Sequence, residues 1–391
     1  MNKTVMIFGL GHIGGWALEL LARSPGVNTI VTVARNEEYG RPKTNLAEIG
    51  AAQLGYLKHF EFYKNDVNNV DQTAELLRKV QPDVVYSALS PGHSPKELFR
   101  HLPQDLYDKL WNGAGFGPWH PWNILPILKL MQAVEKSRIT AKVLTSSLAE
   151  VENPVLWRNN LRPTTGIGGI DNQVMEIRKK VSVAEKVPIS EVIVCLIAPH
   201  SALFHGPDNK APFYLKIMVR DRNVTSKFDT NALVRGKLRP EYVPAEQIEL
   251  MSLTLAGPRV SSSAVKQILA IINDTDEYMH SCGPNGLPGA YPVRINANGV
   301  EVVLPEELTL EEATKINNES LKWDGIEEIK DDGTVVFTEK SYRIMKEMLG
   351  YDCREVRFED IEERAKELSL IYKRLQSMNS DEMLKFFHAS S

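Results

Sequence analysis

Residues 4–8, Thr-Val-Met-Ile-Phe, are a short apolar run without polar alternation, and Gly9-Leu10-Gly11-His12-Ile13-Gly14-Gly15 follows at once. Such a run reads as a strand covered on both faces, and Trp16 to Arg23 continues with helical periodicity. Strand, glycine turn and helix in direct succession leave few folds open: the chain is expected to begin as a βαβ unit of a parallel, doubly wound sheet. In such a turn Gly9 permits the sharp bend, Gly11 lets the backbone approach a pyrophosphate, and Gly14 allows the helix to pack on the strand. His12 and Ile13 share the turn, where the free N–H groups of a helix start favour phosphate. Gly9, Gly11, His12, Ile13 and Gly14 are therefore candidate contacts to a dinucleotide.

The same alternation continues. Asn28 to Ala34, rich in Val, Ile and Thr, predicts a second strand, and Asp71 to Val80 a helix. Asp83 to Ala88 predicts a strand, Lys129 to Lys136 a helix and Ala141 to Thr145 a strand. Between them, Asn112 to Trp122 is rich in Gly, Pro and Trp, too irregular for an element, and reads as lining a cleft or packing beneath a loop. Downstream, Ile170 to Lys186 predicts a helix, Glu191 to Ala198 a strand and Ser262 to Asn273 a helix. From Leu308 the chain is charged and helical, with a hairpin-like break at Asp331-Asp332-Gly333. The expected organisation is α/β: a Rossmann domain over residues 1–150, then an α+β substrate domain over residues 151–391 with a helical C-terminal extension.

Ligands of such sheets bind beyond the carboxyl ends of the strands. The second strand ends Val33-Ala34-Arg35-Asn36, with no acid before Glu37. An NAD site usually has an acid near this point for the ribose hydroxyls, whereas a guanidinium suits a 2′-phosphate. Arg35 thus favours NADP, with NAD possible. Asp66 and Val67, at a third strand end, are candidates to face the adenine, and Ala88, Ser90 and Ser146 to pass close to the nicotinamide ribose.

Composition limits the partners. Of 391 residues 43% are apolar and 25% charged, enough for a sizeable core without disulfides. A net charge of −4 gives no basic field for nucleic acid. Cys195, Cys282 and Cys353 lie far apart, favouring a reducing compartment over a disulfide framework or structural zinc. The first apolar run breaks into glycines too soon to read as a signal peptide, and no stretch reaches the ~20 apolar residues of a membrane helix. A cytoplasmic, homo-oligomeric protein with a small-molecule substrate is expected.

His200 ends the sequence Cys195-Leu196-Ile197-Ala198-Pro199-His200, and a histidine at a strand end can reach a cleft and shuttle a proton near neutral pH. Its surroundings resemble the lactate/malate dehydrogenase superfamily. There a glycine turn, here Thr165-Gly166-Ile167-Gly168, opens a helix with an aspartate and an arginine, and a strand ending in the catalytic histidine follows. Ala88-Leu89-Ser90-Pro91-Gly92, Val143-Leu144-Thr145-Ser146-Ser147, and Tyr291 through Glu301 followed by Leu308 to Glu312 resemble further segments of that family in order, over roughly residues 1–315. The resemblance implies an NAD(P)-dependent dehydrogenase acting on a carbonyl or hydroxyl of a small polar, carboxylate-bearing metabolite. It implies His200 as proton donor and acceptor, Asp171 orienting it, and Arg178 holding substrate.

The departures are specific. Counted back from His200 without gaps, the family's aspartate and arginine fall on Gln173 and Glu176, and its asparagine-proline is missing at Ser146-Ser147. Asp171 and Arg178, seven apart, share one helix face. Lys96, Arg100, Ser261 and Ser263 are further candidates for holding substrate, and His205 for its far end; each also reads as loop or cap chemistry. Alternatives are an opine- or saccharopine-type imine-reducing dehydrogenase, a short-chain-type reductase or epimerase, and a non-enzymatic dinucleotide-binding regulator. The short-chain chemistry needs a Tyr-x-x-x-Lys pair, found only at Tyr39/Lys43 and Tyr342/Lys346, neither correctly placed.

Overall fold

The computed structural model describes residues 3–92, 94–99, 101–203, 209–235 and 245–389. The strands are β1 (Thr4–Phe8), β2 (Thr29–Ala34), β3 (His59–Lys64), β4 (Val84–Ser87), β5 (Lys142–Thr145), β6 (Thr165–Gly166), β7 (Val192–Ile197), β8 (Tyr214–Val219) and β9 (Arg222–Asn223). They continue with β10 (Glu277–Cys282), β11 (Ala290–Asn296), β12 (Gly299–Val302), β13 (Ile326–Ile329), β14 (Val335–Phe337) and β15 (Glu355–Val356). The helices are α1 (His12–Ala22), α2 (Glu37–Gln53), α3 (Val70–Val80), α4 (Pro95–Phe99), α5 (Gln104–Tyr107), α6 (His120–Ser137) and α7 (Ala149–Arg158). After them come α8 (Gly169–Glu185), α9 (Thr230–Arg235), α10 (Ala245–Asn273), α11 (Leu310–Leu321), α12 (Glu339–Leu349), α13 (Ile361–Gln376) and α14 (Ser380–Ala389).

β1 explains the first apolar run. Val5 and Ile7 face one hydrophobic cluster with α1, α2 and α10, and Met6 and Phe8 face another with α3, α6 and α13. A strand buried on both sides needs no polar alternation. β1 pairs in parallel with β2 and β4, β3 with β2, and β5 with β4 and β6. The order β3-β2-β1-β4-β5-β6 is that of the doubly wound dinucleotide-binding sheet. Antiparallel β10, β11 and β12 extend the same sheet to nine strands, which the chain supplies from both sides of residue 150. A small sheet, β7-β8-β9, packs with α8, and a third, β13-β14-β15, includes the hairpin expected near Gly333.

Two expectations change. The Gly/Pro/Trp segment forms a π turn over Asp108–Gly113, a short turn over Gly117–Trp119 and the start of α6. Trp119 is fully buried, and Trp122 stacks on Tyr372 of α13 at 4.7 Å, so both tryptophans are core residues rather than cleft lining. α10 begins at Ala245, because the helix runs through Gly257-Pro258, which reads in sequence as a break. Among the described residues no helix is long and apolar enough to cross a membrane.

Candidate active site

The glycine turn separates packing from ligand space. Gly9 sits at φ +91°, and a β-carbon there would lie 2.7 Å from the Ala88 carbonyl oxygen. At Gly14 it would strike the Gly9 carbonyl and come within 2.9 Å of the Ala88 side chain. Both glycines, and Ala88, are therefore fixed by the crossing of α1 over β1 and β4. Among the described residues, a β-carbon at Gly11 would meet nothing within 4 Å. Packing of the described residues does not require glycine there, and among them no side chain caps the α1 N-terminus that Gly11 opens. Ile13 offers its carbonyl to Ser261 Oγ at 2.7 Å, and His12 faces Gly257 of α10.

At the ends of β2 and β3, Arg35, Asn36, Glu37, Glu38 and Lys64 line an open pocket. Ala34 pairs with Lys64 in the sheet register, which sets Arg35 beside Lys64. Asn36 caps α2 by accepting the Tyr39 N–H at 3.1 Å. Lys43 reaches back to the Leu10 carbonyl at 3.1 Å, over the glycine turn. Asp66 is exposed and accepts from the Asn68 backbone and side chain, while Val67 is buried in the core. Ser90 closes on Gly92, and Ser146 donates to the Ser87 carbonyl at 2.8 Å, beyond the ends of β4 and β5.

His200 stands in a turn after β7, its side chain 18% exposed. Its backbone N–H donates to Glu150 Oε1 at 2.9 Å, and its Nδ1 pairs with the same oxygen. Its Nε2 lies 3.2 Å from Asp324 Oδ2. Both acids are buried, and the other Asp324 oxygen accepts the Phe116 N–H at 2.8 Å. Glu150 lies in the first turn of α7, just after Ser146-Ser147, so this pairing brings His200 to the carboxyl end of β5. Glu152, fully buried in the same turn, accepts from Ser147 Oγ, and burial pushes its carboxyl up to about 7.

Asp171 does not orient His200. Its carboxylate receives Lys266 Nζ at 2.8 Å and the His280 N–H at 3.3 Å. Arg178 shares its helix face, as the spacing requires, but that face turns toward β7 and β10. There both residues line a separate groove with Lys266, Tyr278 and His280, and Arg178 donates to the Ile189 carbonyl at 3.0 Å. The two ungapped positions are also engaged elsewhere, Gln173 with the Leu233 carbonyl and Glu176 with Arg259. Ser261 and Ser263 are buried within α10 rather than opening a helix, and Ser261 ties α10 to α1 through the Ile13 carbonyl. Lys96 lies over the Trp111 ring at 5.7 Å. Arg100 and His205 fall outside the described residues.

Glu150 and Asp324 are the acids the sequence reading missed. Glu150-Val151-Glu152 offered a weak signal, acids directly after a strand end in an otherwise apolar stretch. Asp324 offered none, since it reaches His200 from the far end of the chain.

No protein-family model and no curated protein matches the sequence. Solved structures do match in shape. Malate dehydrogenase from Picrophilus torridus in its apo form aligns with TM-score 0.57 and 15% identity, over 83% of this chain and 96% of that one. Malate dehydrogenase from Plasmodium falciparum in complex with NADH aligns with TM-score 0.54 and 13% identity, over 82% and 95%. Lactate dehydrogenase from Cryptosporidium parvum, complexed with lactic acid and its nicotinamide cofactor, aligns with TM-score 0.53 and 19% identity, over 82% and 95%. At these identities the likeness carries the architecture: this chain has the fold of the lactate and malate dehydrogenases.

Proposed function

We infer that this chain is a nicotinamide-dinucleotide-dependent oxidoreductase acting on a carbonyl or hydroxyl group of a small polar metabolite. The observation that carries the reading is Gly11: glycine stands where packing among the described residues leaves open space, at the uncapped N-terminus of a helix aimed beyond a parallel sheet. When bound, the dinucleotide supplies or takes up a hydride. Backbone around Gly11 and the free N–H groups of α1 would hold the pyrophosphate. Arg35 and Lys64 give two adjacent cations for a 2′-phosphate, which supports NADP over NAD.

The substrate side belongs to His200. Glu150 fixes Nδ1 and the backbone of the same residue, setting the ring's orientation. Nε2 then holds the proton that a substrate oxygen receives on reduction and returns on oxidation, with Asp324 beside it. In this reading residues 1–150 supply the cofactor side and residues 151–391 the substrate side. The cysteines, all buried and unpaired, fit a reducing, cytoplasmic setting, and a homo-oligomer is expected.

Single-turnover hydride transfer by His200→Asn, with NADPH and NADH titrated alongside, tests the reading. The variant should keep dinucleotide affinity, bind NADPH more tightly than NADH, and transfer about 10²–10⁴-fold more slowly. Near-normal transfer at an unchanged melting temperature would remove His200 from the chemistry.

A further inference from the structure

Tyr39 and Lys43, the pair with short-chain spacing in the wrong place, meet at the glycine turn. The Lys43 ammonium donates to the Leu10 carbonyl at 3.1 Å and lies 4.1 Å from the centre of the Tyr39 ring. A β-carbon at Gly15 would stand 3.2 Å from that nitrogen, closer than side-chain packing normally allows. Gly14 is explained by the crossing of α1 over β1, whereas Gly15 leaves the room in which the ammonium rests. Among the described residues no carboxylate pairs with Lys43, and Glu37 in the first turn of the same helix pairs with Arg41. The two ends of α1 differ in what explains their lysines. Lys58 donates to the Leu21 carbonyl at 2.9 Å, at the negative end of the helix dipole, where a cation is favoured. Lys43 lies beside the first turn, at the positive end, where a cation is disfavoured.

Resting on the dinucleotide reading of the glycine turn, we propose that Lys43 binds the diphosphate of the cofactor, the part that NADH and NADPH share. An anion on the turn reverses the electrostatic sign: its oxygens accept from the free N–H groups of α1 and from the ammonium together. The Leu10 carbonyl and the Tyr39 ring hold the ammonium in place beforehand, so little side-chain freedom is lost when the anion arrives. Arg35 and Lys64 line the pocket beyond β2 and β3, and Lys43 lies outside that lining, on the side of the turn. The cations thus divide between two parts of one ligand, Arg35 and Lys64 for a 2′-phosphate and Lys43 for the diphosphate.

Lys43→Met removes the charge and keeps most of the stem. NADH and NADPH are each titrated calorimetrically into the wild type and the variant, and the melting temperature of both proteins is recorded without cofactor. Both dinucleotides should bind the variant about 10- to 100-fold more weakly, as expected for a lost hydrogen bond to a charged group, and by the same factor. Unchanged affinities, with or without a lower melting temperature, would make Lys43 a brace between α1 and α2 and overturn the proposal. A loss confined to NADPH would place Lys43 at the 2′-phosphate and overturn it as well. If Lys43→Met does not fold, Lys43→Gln, which removes the charge and keeps a donor, decides by the same comparison. A wild-type protein that binds neither dinucleotide would instead remove the oxidoreductase reading, and this assignment with it.

Discussion

Glu152 sits with no exposed surface beneath the end of β5, and burial is the main cause raising its carboxyl to about 7. The Ser147 hydroxyl opposes that shift only in part. Because the folded value lies above that of a solvated glutamate, folding favours the protonated acid. That stability is fully present at pH below the unfolded value and is lost as pH rises through about 7. The loss amounts to about 3 kcal/mol. His120 and His280 act in the opposite sense: burial lowers both to about 3, so their contribution is full above the ordinary histidine range and is lost as pH falls toward that value. Glu152→Gln keeps an acceptor for Ser147 and removes the titration. It should unfold at higher urea than the wild type at pH 8, with a much smaller difference at pH 5. Parallel stability profiles for the two proteins would show that Glu152 is ionised at little cost.

At the scale of elements, the glycine turn makes a prediction that two substitutions separate. Gly11→Val adds its side chain to open space, so the protein should fold with near-native stability and lose dinucleotide binding. Gly14→Val drives a side chain into the Gly9 carbonyl and Ala88, so it should destabilise the crossing of α1 over β1 and β4 itself. Circular dichroism melts read beside NADPH titrations distinguish them, and a Gly11→Val protein that binds normally would place the pyrophosphate elsewhere. β1, α1 and β2 were legible in the sequence because each carries its own pattern within a few residues: a doubly buried apolar run, a glycine turn, a β-branched run. The helix face shared by Asp171 and Arg178 was legible too, since helical spacing fixes it. Which neighbour that face meets was not, because β7 and β10 decide it through tertiary packing. The pairing of Glu150 with His200 spans 50 residues and leaves no local trace. The first turns of α10 were hidden for a different reason: Gly257-Pro258 is a break signal that packing against α1 overrides.

On the scale of the whole molecule, the C-terminal region expected as an extension is part of the core. Leu321, Ile326, Val335, Phe337, Met348, Tyr351, Leu368, Leu375 and Phe387 are buried in the same cluster as Met6 and Phe8 of β1. α13 lies along α6, with Tyr372 on Trp122 and Glu362 paired to Lys129. The region also reaches the site: Asp324 meets His200, and its backbone lies against Gly115, where any side chain would collide with it. Buried side chains of this size contribute about 2 kcal/mol each, and together they exceed the net stability of an ordinary domain, about 5–15 kcal/mol. A chain ending at residue 305 would therefore expose the apolar face of α6 on which α13 packs. It should lack near-ultraviolet circular dichroism, bind a hydrophobic dye and show no cooperative melt, while the full chain unfolds in a single calorimetric transition that NADPH raises. A truncated protein that melts sharply and still binds NADPH would mean that the sheet is stable without its C-terminal layer. Asp324 would then be a separable addition to the site rather than a product of the same core.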